Sequence, residues 1–223
     1  VLAPNAAAQL SPYSQDFESL DIAAGNALEV DGWGVFANVF DTDATTFLYG
    51  YGVFPAPNGT GAFSEVATGL GGVDQGLQYI NVFSDYNNPD HGLGRYIEAN
   101  VFQEQNIAAA DVGQTWTFEF DYLKNPFVGN GDGDTTTIAF IKVLDPNAGF
   151  ATVAFPSVDT TGASTTTWTS DSIDLTIDPA WVGNILQFGF ASTAANFNDS
   201  GRFYDNVSFD APGATGPSLQ TYF

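Results

Sequence analysis

Residues 201–209 alternate apolar and polar side chains, as a half-buried β-strand does, and the middle of this segment is acidic. Residues 15–20, near the other end of the chain, alternate in the same way, with Phe17 on one side and Asp16 and Glu18 on the other. We predict that these segments are the last and first strands of a β-sandwich and that they pair with each other.

Together with the closing segment, strand-like patterns occur in about ten short segments, separated by turns rich in glycine, proline, asparagine and aspartate. The 24 Gly and 11 Pro end such strands, and the 20 Phe, 9 Tyr and 4 Trp supply apolar surface for one core. We therefore predict an all-β fold, a two-sheet antiparallel β-sandwich of the jelly-roll type. Its expected parts are an extended N-terminal arm over residues 1–14, the sandwich over residues 15–210 and a C-terminal tail over residues 211–223.

The acidic side chains of the two terminal strands form a first candidate metal site. Opposed side chains of paired strands lie about 5 Å apart, so Asp16, Glu18 and Asp205 would repel one another unless a cation lay between them. Carboxylate oxygens are ligands that Ca²⁺ prefers. We predict a calcium ion shared by these three residues, and the alternative is three solvated carboxylates on an exposed face.

A second candidate calcium site lies in the glycine-rich segment 129–135. Asn130, Asp132 and Asp134 alternate there with glycines, a spacing that lets successive side-chain oxygens surround one ion. The segment is not an EF-hand loop, because Ile141 stands where that loop needs a glutamate. The alternative is a plain hairpin turn, since runs of Asn-Gly and Asp-Gly are also ordinary turn chemistry.

Three short motifs carry a resemblance to a known family. They are Gln-Asp-Phe-Glu at residues 15–18, Gly-Trp at residues 32–33 and Phe-Tyr-Asp-Asn-Val-Ser-Phe at residues 203–209. Together they resemble the jelly-roll carbohydrate-binding modules that bind xylan and glucans. The resemblance implies neighbouring first and last strands with a structural calcium beside them, at the three carboxylates of the first candidate site. It leaves ligand binding open, because one fold supports many functions.

The formal net charge of −22 comes from 26 acidic and 4 basic residues. Binding a phosphate backbone needs clustered Lys and Arg, so nucleic acids and anionic membranes are poor partners. Anionic polysaccharides are disfavoured by the same repulsion, although a bridging calcium ion could reverse this locally. The chain begins at Val1 and holds no apolar run of about 18 residues that would cross a membrane. We expect a processed, secreted protein outside the cell, where calcium is abundant.

Few residues of the chain suit catalysis. His91 is the sole histidine, and the chain has no cysteine and no Gly-x-Ser-x-Gly motif, which excludes zinc-hydrolase and serine-hydrolase chemistry. The remaining enzymatic alternatives are a glycoside hydrolase with paired carboxylates and a polysaccharide lyase built on Tyr86, His91 and Arg95. One arginine is a weak basis for binding a uronate. We predict that the protein is not an enzyme.

Two non-catalytic functions suit a sandwich of this composition. A carbohydrate-binding module for neutral polysaccharide would stack sugar rings on exposed aromatic side chains, although aromatic residues of sandwiches also fill cores. The candidates for this stacking are Trp33, Tyr49, Tyr51 and Tyr86.

The other function is that of a self-assembling extracellular subunit of a filament or tube. Apolar residues in both terminal segments would dock on neighbouring copies, for example by adding a strand to a sheet edge. The candidates for this assembly are Val1, Leu2, Leu10, Leu219, Tyr222 and Phe223. The tail also has the composition of a linker to a further domain or anchor. The structural subunit is our leading interpretation, and the carbohydrate-binding module is the alternative.

Overall fold

Two antiparallel β-sheets packed face to face make up the protein. The computed structural model describes residues 9–59, 61–126, 135–195 and 197–211, and the structural statements below concern these residues. They contain 13 strands and one short α-helix, α1 (Ala27–Val30), which confirms the predicted all-β sandwich. In the described parts of the chain, no helix has the length and apolar character of a membrane span.

The first sheet has six strands. They are β1 (Tyr13–Gln15), β4 (Ser64–Thr68), β5 (Gln78–Val82), β7 (Thr115–Lys124), β11 (Thr169–Thr176) and β13 (Arg202–Asp210). The order across the sheet is β11-β7-β13-β5-β4, and β1 pairs with the second half of β13. The last described strand, β13, therefore lies at the centre of this sheet.

The second sheet has seven strands. They are β2 (Gly34–Phe40), β3 (Phe47–Pro55), β6 (Tyr96–Asn106), β8 (Thr136–Asp145), β9 (Ala151–Ala154), β10 (Ser157–Asp159) and β12 (Ile185–Ala195). The order is β10-β8-β12-β6-β2-β3, with β9 also pairing with β8. β3 is thus one edge of the sheet, and the connection between β8 and β9 lies near the other.

The hydrophobic core lies between the two sheets and is rich in stacked aromatic rings. Phe190 of β12 stacks on Tyr204 of β13 with ring centroids 3.7 Å apart, and Phe188 stacks on Phe209 at 4.2 Å. All four side chains are fully buried. Because successive side chains of a strand point to opposite faces, Gly189 between the two phenylalanines lies on the outer face of the seven-stranded sheet.

The first and last strands are neighbours, as predicted, but the first strand is shorter than expected. β1 pairs with β13 up to Gln15, which lies opposite Val207. The next residues form a turn, in which Phe17 has a left-handed backbone φ of 57° and a fully buried side chain. Asp16 and Glu18 therefore lie in a turn rather than on a strand opposite Asp205.

Part of the predicted N-terminal arm packs on the sandwich itself. Leu10 is 4% exposed and belongs to the main core, and its backbone N–H donates to Asp111 Oδ2 at 3.1 Å. The backbone N–H of Ser11 donates to Gln105 Oε1 at 2.7 Å. These contacts tie the segment before β1 to the same chain.

Candidate functional site

A cleft of about 530 Å³ lies on the outer face of the seven-stranded sheet. Outward-pointing side chains of β2, β6, β8 and β12 form its floor. The edge strand β3 lies along one side, and the turn between β8 and β9 lies along the other. A concave surface of this kind on a rigid sheet is the usual place for a small-molecule or chain ligand.

Two exposed phenylalanines stand on the opposite sides of this cleft. Phe47 of β3 is 57% exposed and contacts Phe40 edge-on, with ring centroids 6.0 Å apart. Phe150, in the turn after β8, is 60% exposed and has a left-handed φ of 63°. That conformation is uncommon and costly for residues other than glycine. Exposed rings held in this way are available for contact with a ligand.

Glycines of β3 make room for an aromatic ring on the neighbouring strand. A Cβ atom at Gly50 would lie 2.6 Å from Cζ of Phe36, and one at Gly52 would lie 2.7 Å from the carbonyl oxygen of Val35. A side chain at either position would displace the Phe36 ring or separate β2 from β3. The apolar side of the cleft therefore depends on the glycine pattern of β3.

The floor of the cleft carries a fixed set of polar groups. Glu98 Oε1 accepts hydrogen bonds from Asn38 Nδ2 at 2.8 Å and from Asn100 Nδ2 at 2.9 Å. Glu104 Oε2 accepts one from Gln187 Nε2 at 2.8 Å. Amides and carboxylates in fixed orientations offer both donors and acceptors, which is what the hydroxyl groups of a sugar require.

Lys142 is the basic residue of the cleft. Its Nζ donates to Asn100 Oδ1 at 2.9 Å and lies 4.7 Å from the ring centroid of Phe140 and 4.9 Å from that of Phe155. Burial lowers the pKa of Lys142, while the charge of Glu98 acts in the opposite direction. The ammonium group is thus held among aromatic rings and an amide at the floor of the cleft.

Trp33, the first of the predicted sugar-stacking residues, lies in the core instead. It is 1% exposed, and its Nε1 donates to Asp31 Oδ2 at 3.0 Å. The hydroxyl of Tyr13 donates to the same oxygen at 2.6 Å. Trp33 therefore joins β1 to the core and offers no face to a ligand.

The three predicted tyrosines are also engaged away from the cleft. The hydroxyls of Tyr49 and Tyr51 bond to aspartates of the loop between β5 and β6, and Tyr86 OH bonds to Ser200 Oγ at 2.7 Å. The two β3 tyrosines lie on the face of the strand opposite the cleft, since Phe47 and the glycines line it. Reasoning by residue type selected Trp and Tyr, and it missed the phenylalanines.

A signal for the cleft was present in the sequence of β6. Glu98, Asn100, Phe102 and Glu104 alternate with apolar core residues, so they share the outer face of that strand. Alternation does not tell whether such a face is open to solvent or covered by a loop. The outer face of the six-stranded sheet is partly covered, because Trp168 packs there on a cluster that contains Phe203.

The first predicted calcium site centres on a buried carboxylate. Asp205 is fully buried, and while its Oδ1 accepts from the backbone N–H of Asn206, its Oδ2 has no hydrogen-bond partner among the described residues. Burial, together with the charges of Asp121, Asp16 and Glu18, raises the pKa of Asp205 to about 8, although the hydrogen bond from Asn206 acts in the opposite direction. A cation beside Oδ2 would relieve both effects.

The three predicted ligands are not arranged as a complete metal site. Asp16 and Glu18 are exposed in the turn after β1, and Glu18 Oε1 accepts from the backbone N–H groups of Leu77 and Gln78, each at 2.6 Å. Within the described ranges, no three acidic or histidine side chains converge as metal ligands do. The left-handed turn at Phe17 accounts for this. The oxygen chemistry still suits Ca²⁺.

The second predicted calcium site lies outside the described residues, with Asn130, Asp132 and Asp134. The same is true of five residues predicted for assembly. They are Val1, Leu2, Leu219, Tyr222 and Phe223.

The residues considered for a lyase hold a loop to the sandwich. His91 is fully buried, with Nε2 at 3.1 Å from the carbonyl oxygen of Ala194 and 3.2 Å from Ser84 Oγ, and burial lowers the pKa of His91. Arg95 forms an ion pair with Asp90 at 2.5 Å. Neither residue lines the cleft.

Comparisons with known proteins give similarity of fold only. No protein-family model matches the sequence, and no curated protein is significantly similar to it. Three solved structures are similar to this chain at 12–14% identity. The first is the enzymatically active domain of tailspike protein 4 of bacteriophage CBA120. The second contains a family 22 carbohydrate-binding module and the catalytic module of xylanase 10B of Clostridium thermocellum, bound to xylohexaose. The third is a cyclase of Fischerella sp. bound to an indolyl butanone.

The extent of these similarities differs. The TM-scores are 0.49 for the tailspike domain, 0.45 for the xylanase and 0.47 for the cyclase, and the identities are 12%, 14% and 14%. They cover 87%, 90% and 88% of this chain, but 21%, 28% and 92% of the respective structures. This chain thus spans about a fifth of the tailspike domain and about a quarter of the xylanase. Other similar structures are carbohydrate-binding modules, with TM-scores from 0.40 to 0.45.

The leading sequence-based interpretation, a self-assembling structural subunit, is wrong. Carbohydrate-binding modules, and not the predicted structural subunits, recur among these similar structures. The arm argument fails as well, because Leu10 is buried in the core of its own chain and is not free to dock on a neighbour.

Proposed function

We propose that this protein is a non-catalytic module that binds a neutral polysaccharide in the cleft of the seven-stranded sheet. The observation that carries the proposal is the pair of exposed rings, Phe47 and Phe150, on opposite sides of a polar floor. Sugar rings have apolar faces and a belt of hydroxyl groups. A cleft with aromatic sides and fixed amides below suits both surfaces of a sugar.

The shape of the site supports a chain ligand rather than a single sugar. The cleft runs across the outer face between the β3 edge and the β8–β9 turn, and its volume of about 530 Å³ exceeds what one sugar ring fills. Its hydrogen-bonding groups belong to strands and not to loops, so they are rigid before a ligand arrives. Rigid groups lose little conformational entropy on binding.

We infer a structural calcium ion at Asp205, with Asp16 and Glu18 as further ligands. A fully buried carboxylate with an unpartnered oxygen is costly unless a cation or proton compensates it. The ion would join the turn after β1 to the central strand β13. Calcium would stabilise the fold there, on the sheet opposite the cleft, and it would take no part in ligand binding.

We also propose that the protein acts outside the cell. Insoluble or soluble polysaccharide and millimolar calcium are available there, and the net charge of −22 keeps the protein dispersed.

Affinity gel electrophoresis tests the proposed function. Wild-type protein should be retarded in native gels that contain a neutral xylan or a mixed-linkage β-glucan, and it should migrate normally in gels without polysaccharide. An unrelated acidic protein of similar size serves as the reference. Equal migration in every gel of a broad panel of neutral polysaccharides would refute the proposal.

A further inference from the structure

We propose that Lys142 makes the cleft prefer polysaccharides whose neutral backbone carries a carboxylate, that is, a uronate substituent. This inference rests on the proposed function and specifies the ligand class of the same site. The sequence analysis predicted weak binding of anionic polysaccharides because of the net charge of the whole chain. The position of one ammonium group within the cleft leads to the opposite expectation.

Lys142 is held with unused hydrogen-bonding capacity. Its ammonium group has three N–H donors, and among the described residues only Asn100 Oδ1 accepts from it, at 2.9 Å. The rings of Phe140 and Phe155 lie within 5 Å of Nζ and fix its position without accepting a conventional hydrogen bond. Two N–H donors are left for a ligand, and a carboxylate supplies two acceptor oxygens.

The charge of Lys142 is also without a direct partner. No carboxylate in the described part of the chain lies within ion-pair distance of its Nζ, although the protein has 26 acidic residues. The charge of Glu98 acts on Lys142 from beyond ion-pair distance, and Glu98 Oε1 accepts from the amide whose oxygen faces the lysine. A partly buried cation without a carboxylate in direct contact favours an anionic ligand group.

The other acidic group of the cleft does not neutralise this cation. Glu104 accepts from Gln187, which is directly opposite Lys142 on the neighbouring strand. The amide of Gln187 would therefore lie between Glu104 and a uronate bound to Lys142. Charges elsewhere on the protein are screened beyond about 8 Å at physiological salt, so contact with the ammonium group decides the local preference.

The arrangement distinguishes Lys142 from the other three basic residues. Arg95 is paired with Asp90, and Arg202 is buried, with its guanidinium donating to backbone carbonyl groups. Lys124 is on the six-stranded sheet, away from the cleft. Lys142 is thus the cation that a polysaccharide in the cleft would meet.

Two forms of one polymer test the inference. Glucuronoxylan and the same preparation with its carboxylates chemically reduced to primary alcohols differ only in the charged group. Titration calorimetry at about 0.15 M salt should show at least about fivefold tighter binding of the native polymer by wild-type protein. Lys142→Met keeps the apolar stem between the rings and should bind the two polymers with equal affinity, because it has no ammonium group for the carboxylate.

Lys124→Met is the matched control, since it changes the net charge equally and should retain the preference. Melting temperatures establish that both variants are folded. Equal binding of both polymers by wild type would overturn the inference and leave the proposed function intact. A Lys142→Met variant that still prefers the native polymer would also overturn it, because the preference would then come from another group. Failure of wild type to bind any polysaccharide would refute the proposed function itself.

Discussion

Lys142 of β8 donates from Nζ to Asn100 Oδ1 of β6 over 2.9 Å, across the intervening strand β12. The register explains how the contact forms. Lys142 is opposite Gln187 and Asn100 is opposite Ala191, so Gly189 lies between them on β12. Because Gly189 has no side chain, nothing on β12 blocks the diagonal path from Lys142 to Asn100. The polar floor of the cleft thus depends on the packing of three strands.

Gly189→Ala should destabilise the protein. A Cβ atom there would lie 2.2 Å from the carbonyl oxygen of Val101 and 2.7 Å from Cα of Phe102, which is backbone that cannot yield without moving β6. Overpacking of this kind costs about 1–3 kcal/mol in the free energy of unfolding. Urea denaturation gives this quantity. Gly162→Ala is the control, because a Cβ atom there has no atom within 4 Å and should change stability little. Equal stability of the two variants would contradict the described β6–β12 contact.

Removal of calcium should lower stability through Asp205. If Asp205 binds the ion, calcium at a hundredfold excess over its dissociation constant should add about 2.7 kcal/mol to the free energy of unfolding. A chelator should remove this gain, and Asp205→Asn should abolish the response. Asp174→Asn should keep it, because Asp174 is on the edge strand β11 and accepts from Thr117 of β7. Thermal unfolding with calcium and with chelator makes the comparison, and identical melting curves would refute the site.

Without calcium, the stability of the protein should fall as the pH rises toward 8. The folded-state pKa of Asp205, about 8, lies above its ordinary value of 3.8. The folded state then binds a proton that the unfolded state has lost, so stability decreases with pH up to about 8, by at most about 1.4 kcal/mol per pH unit. The lowered pKa of His91 makes stability increase with pH, but only near and below the ordinary histidine pKa of 6.5. The window from about pH 7 to 8 is therefore the clearest one.

Denaturation in chelator at several pH values measures this slope. Asp205→Asn should remove it, because an amide has no proton to lose in this range. Calcium should reduce it in the wild type, since the ion holds the carboxylate in its charged form. A wild-type stability that does not fall between pH 7 and 8 would show that Asp205 is ionised in the fold without an ion.

Much of the fold could be predicted from the period-two alternation of the sequence. The pairing of the first and last strands followed from the patterns of residues 15–20 and 201–209. The end of β1 could not be predicted in this way. The buried side chain of Phe17 fits a strand pattern as well as it fits the left-handed turn that it occupies.

The cleft depends on relationships that are distant along the chain. Phe47 and Phe150 are about a hundred residues apart and show their function only when the sheet order places them on opposite sides of one floor. Trp33 illustrates the converse. Its residue type favours sugar stacking, but its contact with Asp31 and its burial become visible only in the structure.

The central claim is that a neutral polysaccharide binds between the two exposed phenylalanines, and calorimetric titration of Phe150→Ala tests it most directly. Phe197→Ala is the matched control, because Phe197 is also an exposed phenylalanine with a left-handed φ, of 59°, but it packs on His91 away from the cleft. We predict that Phe150→Ala weakens binding of a neutral xylan or β-glucan by about tenfold or more, while its melting temperature is unchanged. Phe197→Ala should bind as wild type does. Wild-type affinity in Phe150→Ala, or an equal loss in both variants, would contradict the assignment of the cleft.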